Sequence, residues 1–160
     1  MNAEHRITRI EAELAIRNVI ARYGLAVDCG DIKTALKCHT QDAVYVVSNP
    51  NAGRGEANAD LELKGHEAIS DMLSSDMHQS LLPNCAHTVG PLVVEINHED
   101  AKVSGYSRVY HDQKLMRLAI NEWLMRRENG LWKIARRESR VMGEDAAQKL
   151  LKRVLKSWGL

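Results

Sequence analysis

The hydrophobic period of this 160-residue chain is mainly helical in the first half and turns strand-like in the second, and that change limits the fold more than any other feature. Over residues 7–28, Ile10, Leu14, Ile16, Ile20, Tyr23 and Val27 recur mostly at steps of three or four, the spacing of one helical face. From residue 86 the period shortens to that of strands, over 86–97, 102–111, 118–127 and 132–140. The Asn129-Gly130 pair between the last two is a strong two-residue hairpin signal. Helices first and a strand meander second predict an α+β domain, a strongly curved antiparallel sheet wrapped around a long N-terminal helix.

Local signals set the boundaries. Thr8 with Glu11 matches a capping box at the start of the first helix, and Cys29-Gly30 ends it. Asp31 caps a short second helix over 32–38, and Asp42 opens a Val/Tyr-rich strand over 43–48. Residues 49–59 form a Gly/Asn/Pro-rich loop. Its Gly53-Arg54-Gly55 lacks the strand-to-helix setting of a phosphate cradle and reads as a mobile lid. A short strand over 61–64 leads through Gly65 into a third helix that runs to about Met77. Gly90-Pro91 breaks the first long strand, and His98-Glu99-Asp100 makes a turn. The tail, 144–158, carries Leu150, Leu151, Val154, Leu155 and Trp158 on one side of an amphipathic helix. The pattern predicts a single domain over 1–160, without repeats or a linker.

Composition removes several classes of function. With 22 Lys+Arg against 21 Asp+Glu, the net charge of +1 argues against a dedicated nucleic-acid binder. Basic residues from Arg126 to Arg140 are interleaved with Glu128 and Glu138, which reads as a solvated mixed face. Three cysteines, Cys29, Cys38 and Cys85, show no metal-ligand spacing, so free thiols in a reducing cytoplasm are expected. The charged N-terminus is unlike a signal peptide, and no apolar run is long enough for a membrane span. The chain has no phenylalanine, so Leu, Ile, Val, Met and Trp must fill the core.

Several stretches carry a family likeness: ALAIRNVIARYGLAVDCGD, DAVYVV, LKGHEAI and the closing ENGLWKIARRESRV. Together they resemble the SnoaL-like branch of the nuclear transport factor 2-like superfamily, over about residues 7–142. The resemblance implies a cone-shaped barrel with a hydrophobic pocket at its wide end. Within the superfamily the chain is similar to scytalone dehydratase, hexachlorocyclohexane dehydrochlorinase and bile-acid dehydratase. That likeness implies a lyase needing neither metal nor organic cofactor, acting on a small hydrophobic cyclic or polycyclic molecule. It implies a homo-oligomer, a trimer by the nearest lyases and a dimer by other members. It also places a catalytic Asp at Asp28, a catalytic His at His87, a Tyr at Tyr23 and a pocket arginine at Arg137 or Arg140. Scytalone dehydratase has a second histidine on the following strand; His111, at that strand's far end, is a poor counterpart.

The residue chemistry suits that assignment and leaves alternatives open. A neutral imidazole removes a proton from carbon well near neutral pH, and a carboxylate on its other nitrogen fixes the tautomer. Equally, Asp28 is placed to cap the turn at Gly30-Asp31, and His87 suits a satisfied core position. Tyr23 stands about one helical turn before Asp28, to polarise a substrate oxygen or simply to pack. Tyr45 and Tyr106 line the pocket if they point inward, and are half-buried strand tyrosines if not. Arg137 and Arg140 fall on opposite faces of one strand, so only one of them enters the pocket. His39, His66, His78, His98 and His111 lack ligand spacing and are expected at the surface. Rival readings are an isomerase or cyclase using the same pair, or a non-catalytic binding or structural subunit. The latter resembles the small subunits of ring-hydroxylating dioxygenases around Asp42-Ala43-Val44-Tyr45.

Overall fold

The computed structural model describes residues 2–48 and 60–157. The expected lid at 49–59 and Trp158 lie outside the described residues. Helix α1 (Ala3–Asp28) begins four residues before the expected start at residue 7, because Asn2 caps it by accepting the His5 N–H. Thr8, expected at the cap, instead bonds back to the Glu4 carbonyl inside the helix. Gly30, at φ +75°, turns the chain out of α1, and Asp31 caps α2 (Ile32–Lys37) through the Thr34 N–H. Strand β1 (His39–Ser48) starts at once, four residues earlier than expected.

After β2 (Asp60–Lys64) and α3 (Gly65–Ser74), Ser75 interrupts the expected single helix and caps the short α4 (Asp76–Gln79). Strands β3 (Cys85–Asn97), β4 (Asp100–His111), β5 (Lys114–Glu128) and β6 (Leu131–Val141) form the meander, and α5 (Asp145–Ser157) follows. Asn129 and Gly130 both take positive φ, the geometry of a type I′ hairpin turn between β5 and β6. Asp112 and Gln113 do the same between β4 and β5 without an Asn-Gly signal, so β5 starts four residues before its expected position.

The six strands lie in the order β2-β1-β6-β5-β4-β3. Four of the five pairings are antiparallel, but β1 runs parallel to β6, so the sheet is mixed. The reason is topological: β1 and β6 are joined by the whole intervening chain, the long connection that a parallel pair requires. Among the described residues β2 and β3 are the edges of the sheet, so the expected barrel does not close.

One face of the sheet holds α1 and α3. There Ile16, Ile20, Tyr45, Ile69, Leu73, Trp123 and Ile134 form the main core. The opposite face carries α5, whose Ala147, Leu150 and Val154 pack on Ile120 and Tyr106. The N-terminal half of α1 overhangs the sheet, leaving Ile7, Ile10 and Leu14 more than half exposed. Met77 and Met116, of a residue type expected to fill the core, are also exposed. The C-terminal half of α1 fits against β3 because residue 24 is glycine: a Cβ there would stand 2.8 Å from the His87 carbonyl oxygen. No helix among the described residues is long and apolar enough to cross a membrane.

Candidate active site

The close contact at Gly24 brings the last residue of α1, Asp28, against the start of β3. Its Oδ1 lies 2.6 Å from His87 Nδ1, and its Oδ2 accepts the His87 main-chain N–H at 2.8 Å. Cys85 Sγ, at 3.5 Å, donates to Oδ1. A carboxylate at a helix C-terminus opposes the helix dipole, and these three donors offset that cost. Burial pushes the Asp28 carboxyl up, but the His87 hydrogen bonds and charge outweigh it and hold the group below its ordinary value. An ionised carboxylate accepts only, so Nδ1 carries the imidazole proton. Nε2 has no hydrogen-bond partner among the described residues, and in the neutral ring it is the nitrogen that carries the lone pair. Both side chains are about one-fifth exposed.

His78, expected at the surface, is buried and stacks on the His87 ring at 6.0 Å and 20°. Burial and the neighbouring His87 push its pKa down, so it stacks as a neutral ring. His111, by contrast, pairs across the ladder with Cys85, and the residue opposite His87 on β4 is Val109. The second histidine beside His87 therefore arrives from α4, not from the next strand.

A second polar group faces the dyad across a small cavity. His39, also expected at the surface, is wholly buried. Its Nδ1 lies 2.8 Å from the Ala35 carbonyl, and its Nε2 is bonded to the Tyr45 hydroxyl. Burial drives its pKa down to about 4, so the ring is neutral. Tyr23 sets its ring edge-on to His39 at 5.0 Å and to Tyr45 at 6.1 Å. Burial raises the pKa of both tyrosines, that of Tyr45 well above the usual value, so both hydroxyls stay protonated.

Arg137 enters this corner. Its guanidinium lies 5.6 Å from the ring centres of both Tyr45 and Trp123, a cation–π sandwich. Its Nε donates to Asn121 Oδ1 at 3.0 Å, and Asn121 in turn donates to Ser107 Oγ at 2.8 Å. Arg140 goes the other way. It pairs with Glu138 and Asp60 on the α5 side, where Arg153 also reaches Glu138 at 2.6 Å. Tyr106, under α5, is on that side too. The expected group of seven thus divides: Tyr23, Asp28, Tyr45, His87 and Arg137 come together, while Arg140 and Tyr106 lie across the sheet.

The cavity between the dyad and this corner is lined by Tyr23, His87, Ser107, Val109, Trp123 and Arg137 and measures about 20 Å³. That is room for about one water, where an open chamber was expected. Trp123 and Arg137 are among its walls, so a larger guest enters only if the walls move. A wider groove of about 680 Å³ lies on the outside of the sheet between Lys102, Leu124 and Arg136, away from the dyad. Ligand atoms of Asp28, Cys85 and His87 lie within 4.8 Å of one another, the arrangement of a three-donor metal site. The fit is poor as it stands: burial and the Asp28 charge push the Cys85 thiol up to about 11, so it remains a hydrogen-bond donor rather than a thiolate.

This layout, a long N-terminal helix on a six-strand mixed sheet, is that of the nuclear transport factor 2-like, or cystatin-like, fold. An NTF2-like protein of Novosphingobium aromaticivorans shares it at 29% identity and a TM-score of 0.80, covering 94% of this chain and 95% of that one. The hexachlorocyclohexane dehydrochlorinase LinA-type3 of Novosphingobium barchaimii is 16% identical, with a TM-score of 0.67 and coverage of 86% and 90%. A scytalone dehydratase-like protein of Novosphingobium aromaticivorans is 15% identical, with a TM-score of 0.69 and coverage of 86% and 88%. At such identities the last two likenesses concern the fold. No curated protein sequence matches the chain. The SnoaL-like domain profile matches residues 8–138, and the chain belongs to that family.

Proposed function

We propose that the protein is a cofactor-independent lyase of the dehydratase or dehydrohalogenase type, acting on a small cyclic or polycyclic substrate. One observation carries the reading: a single carboxylate holds both the ring Nδ1 and the main chain of His87, a residue that lines a cavity, and leaves Nε2 without a partner among the described residues. In the proposed reaction Nε2 takes a proton from carbon, and Asp28 stabilises the imidazolium that forms. The electron pair of the broken C–H bond moves onto an adjacent carbonyl oxygen, held by Tyr23 and Arg137. When the carbonyl re-forms, the leaving group departs: a hydroxyl takes the proton from His87 and leaves as water, whereas halide leaves as the anion and His87 passes its proton to solvent. An isomerase or cyclase would share the first of these steps.

The test is a screen of cyclic β-hydroxy and β-halo carbonyl compounds with the wild type and His87→Ala. Product from the wild type and its loss in a folded variant supports the reading; equal turnover by both rules it out. The cavity of about 20 Å³ favours a second reading, a non-catalytic subunit whose pocket is simply filled. That reading predicts no turnover and stable association with a larger catalytic chain. The lyase reading carries with it a homo-oligomer, supported by the exposed Ile7, Ile10 and Leu14 stripe, and a reducing cytoplasm, supported by the three free cysteines.

A further inference from the structure

We infer that His39 is a positioning residue that makes the polar corner of the cavity donor-only, so that the ligand it admits presents a lone-pair oxygen, preferably anionic, to Tyr23 and Arg137. This deepens the lyase reading and rests on it only for which cavity is the site.

The argument is one of hydrogen-bond direction. The Ala35 carbonyl can only accept, so the proton of the buried, neutral His39 ring is on Nδ1. Nε2 is then an acceptor, and the single hydroxyl proton of Tyr45 must point at it. The Tyr45 oxygen is left with lone pairs alone toward its other neighbours, Tyr23 and Arg137. Both of these are donors, and the Tyr23 hydroxyl adjoins Tyr45 and Arg137 together. An arriving oxygen acceptor competes for the Tyr23 O–H and the Arg137 N–H groups. An arriving N–H or O–H donor meets Tyr45 lone pairs that the Tyr23 O–H and the Arg137 N–H groups already face.

Charge adds a preference. Arg137 makes no salt bridge among the described residues, and its bonded partner, Asn121, is neutral. The next residue along the strand, Glu138, points across the sheet to Arg140 and Arg153. A part-buried guanidinium without a counter-charge favours an anion or a developing oxyanion in the cavity. The direction of the whole chain, from Ala35 through His39 and Tyr45 to Tyr23, depends on one backbone carbonyl.

The test has two parts. In ¹⁵N-histidine-labelled protein, the His39 ring is expected in the Nδ1–H form at neutral pH; an Nε2–H form overturns the inference. Binding of 4-nitrophenolate and of 4-nitroaniline, isosteres differing in acceptor against donor, is then measured by titration. The wild type is expected to prefer the phenolate by about tenfold or more, the worth of a charge-assisted hydrogen bond. His39→Phe, which frees the Tyr45 proton to turn, should shrink that ratio several-fold. His39→Gln, which still offers Tyr45 an acceptor, should restore it. Equal binding of both probes, no phenolate binding by the wild type, or a ratio unmoved in both variants overturns the inference. A protein that shows the preference yet turns nothing over fails the lyase reading alone.

Discussion

Asp28 holds His87 at two atoms at once, the ring Nδ1 at 2.6 Å and the main-chain nitrogen at 2.8 Å. A carboxylate that only solvated the ring would leave it free to rotate. Gripping the backbone as well fixes the strand start and the imidazole in one frame, so Nε2 has a defined direction. The following outcomes rest on that frame and on the polar corner opposite.

Asp28→Asn keeps the size of the side chain but removes its charge and offers the ring a donor in place of an acceptor. Turnover of a substrate found in the screen should fall by about 10²- to 10⁴-fold, the range for loss of a positioned acid–base partner. Stability should fall by no more than about 3 kcal/mol. Steady-state kinetics and urea denaturation measure the two separately.

Gly24→Ala sets a Cβ 2.8 Å from the His87 carbonyl oxygen, a clash with backbone that no rotamer relieves. Alanine's better helix propensity recovers about 1 kcal/mol, while overpacking costs about 1–3 kcal/mol. The expected result is a net loss of stability with a changed His87 ring environment, read from the urea midpoint and the imidazole NMR shifts.

Arg137→Met removes a charge that has no counter-ion among the described residues and keeps the apolar stem between Tyr45 and Trp123. Stability should hold or rise by about 1 kcal/mol, because an unpaired buried charge is costly. Activity should fall about 10²-fold, as for loss of an oxyanion donor. A variant that loses both together would make Arg137 a structural residue.

His39 makes stability fall with acid. Its folded pKa lies at about 4 against 6.5 when unfolded, so between those values the unfolded chain binds a proton that the folded chain does not. Stability is fully present above pH 6.5, declines as the pH drops, and levels off for this group below about 4. The loss is about 3 kcal/mol. His78, whose pKa is also lowered, adds to it in the same direction. The lowered carboxyl Asp28 acts in more acid solution, where its stabilising contribution is lost as the pH falls through its folded pKa. Urea titrations at pH 7 and pH 4.5 should differ by much less in His39→Phe.

Much of this was legible in residue order. Helix and strand periods mark α1 and the meander, and the family likeness pairs Asp28 with His87 across fifty-nine positions that no local rule connects. What escaped depends on tertiary packing. His39 and His78 look like surface histidines because nothing nearby in sequence predicts that α2, β1 and α4 fold over them. A strand drawn from His39 would have put it on the same face as Tyr45, six residues on, and that is the signal that was available. Arg137 and Arg140 were correctly assigned to opposite faces, but only the β6 register shows which of them meets Tyr45. Tyr106 sits next to the cavity-lining Ser107, and strand alternation alone sends it under α5.

The tautomer of the His87 ring tests the central claim most directly. In ¹⁵N-labelled protein at neutral pH the account predicts a proton on Nδ1, hydrogen-bonded to Asp28, and a bare Nε2, with that preference lost in Asp28→Asn. A ring protonated on Nε2, or a wild-type spectrum indistinguishable from that of Asp28→Asn, would contradict it.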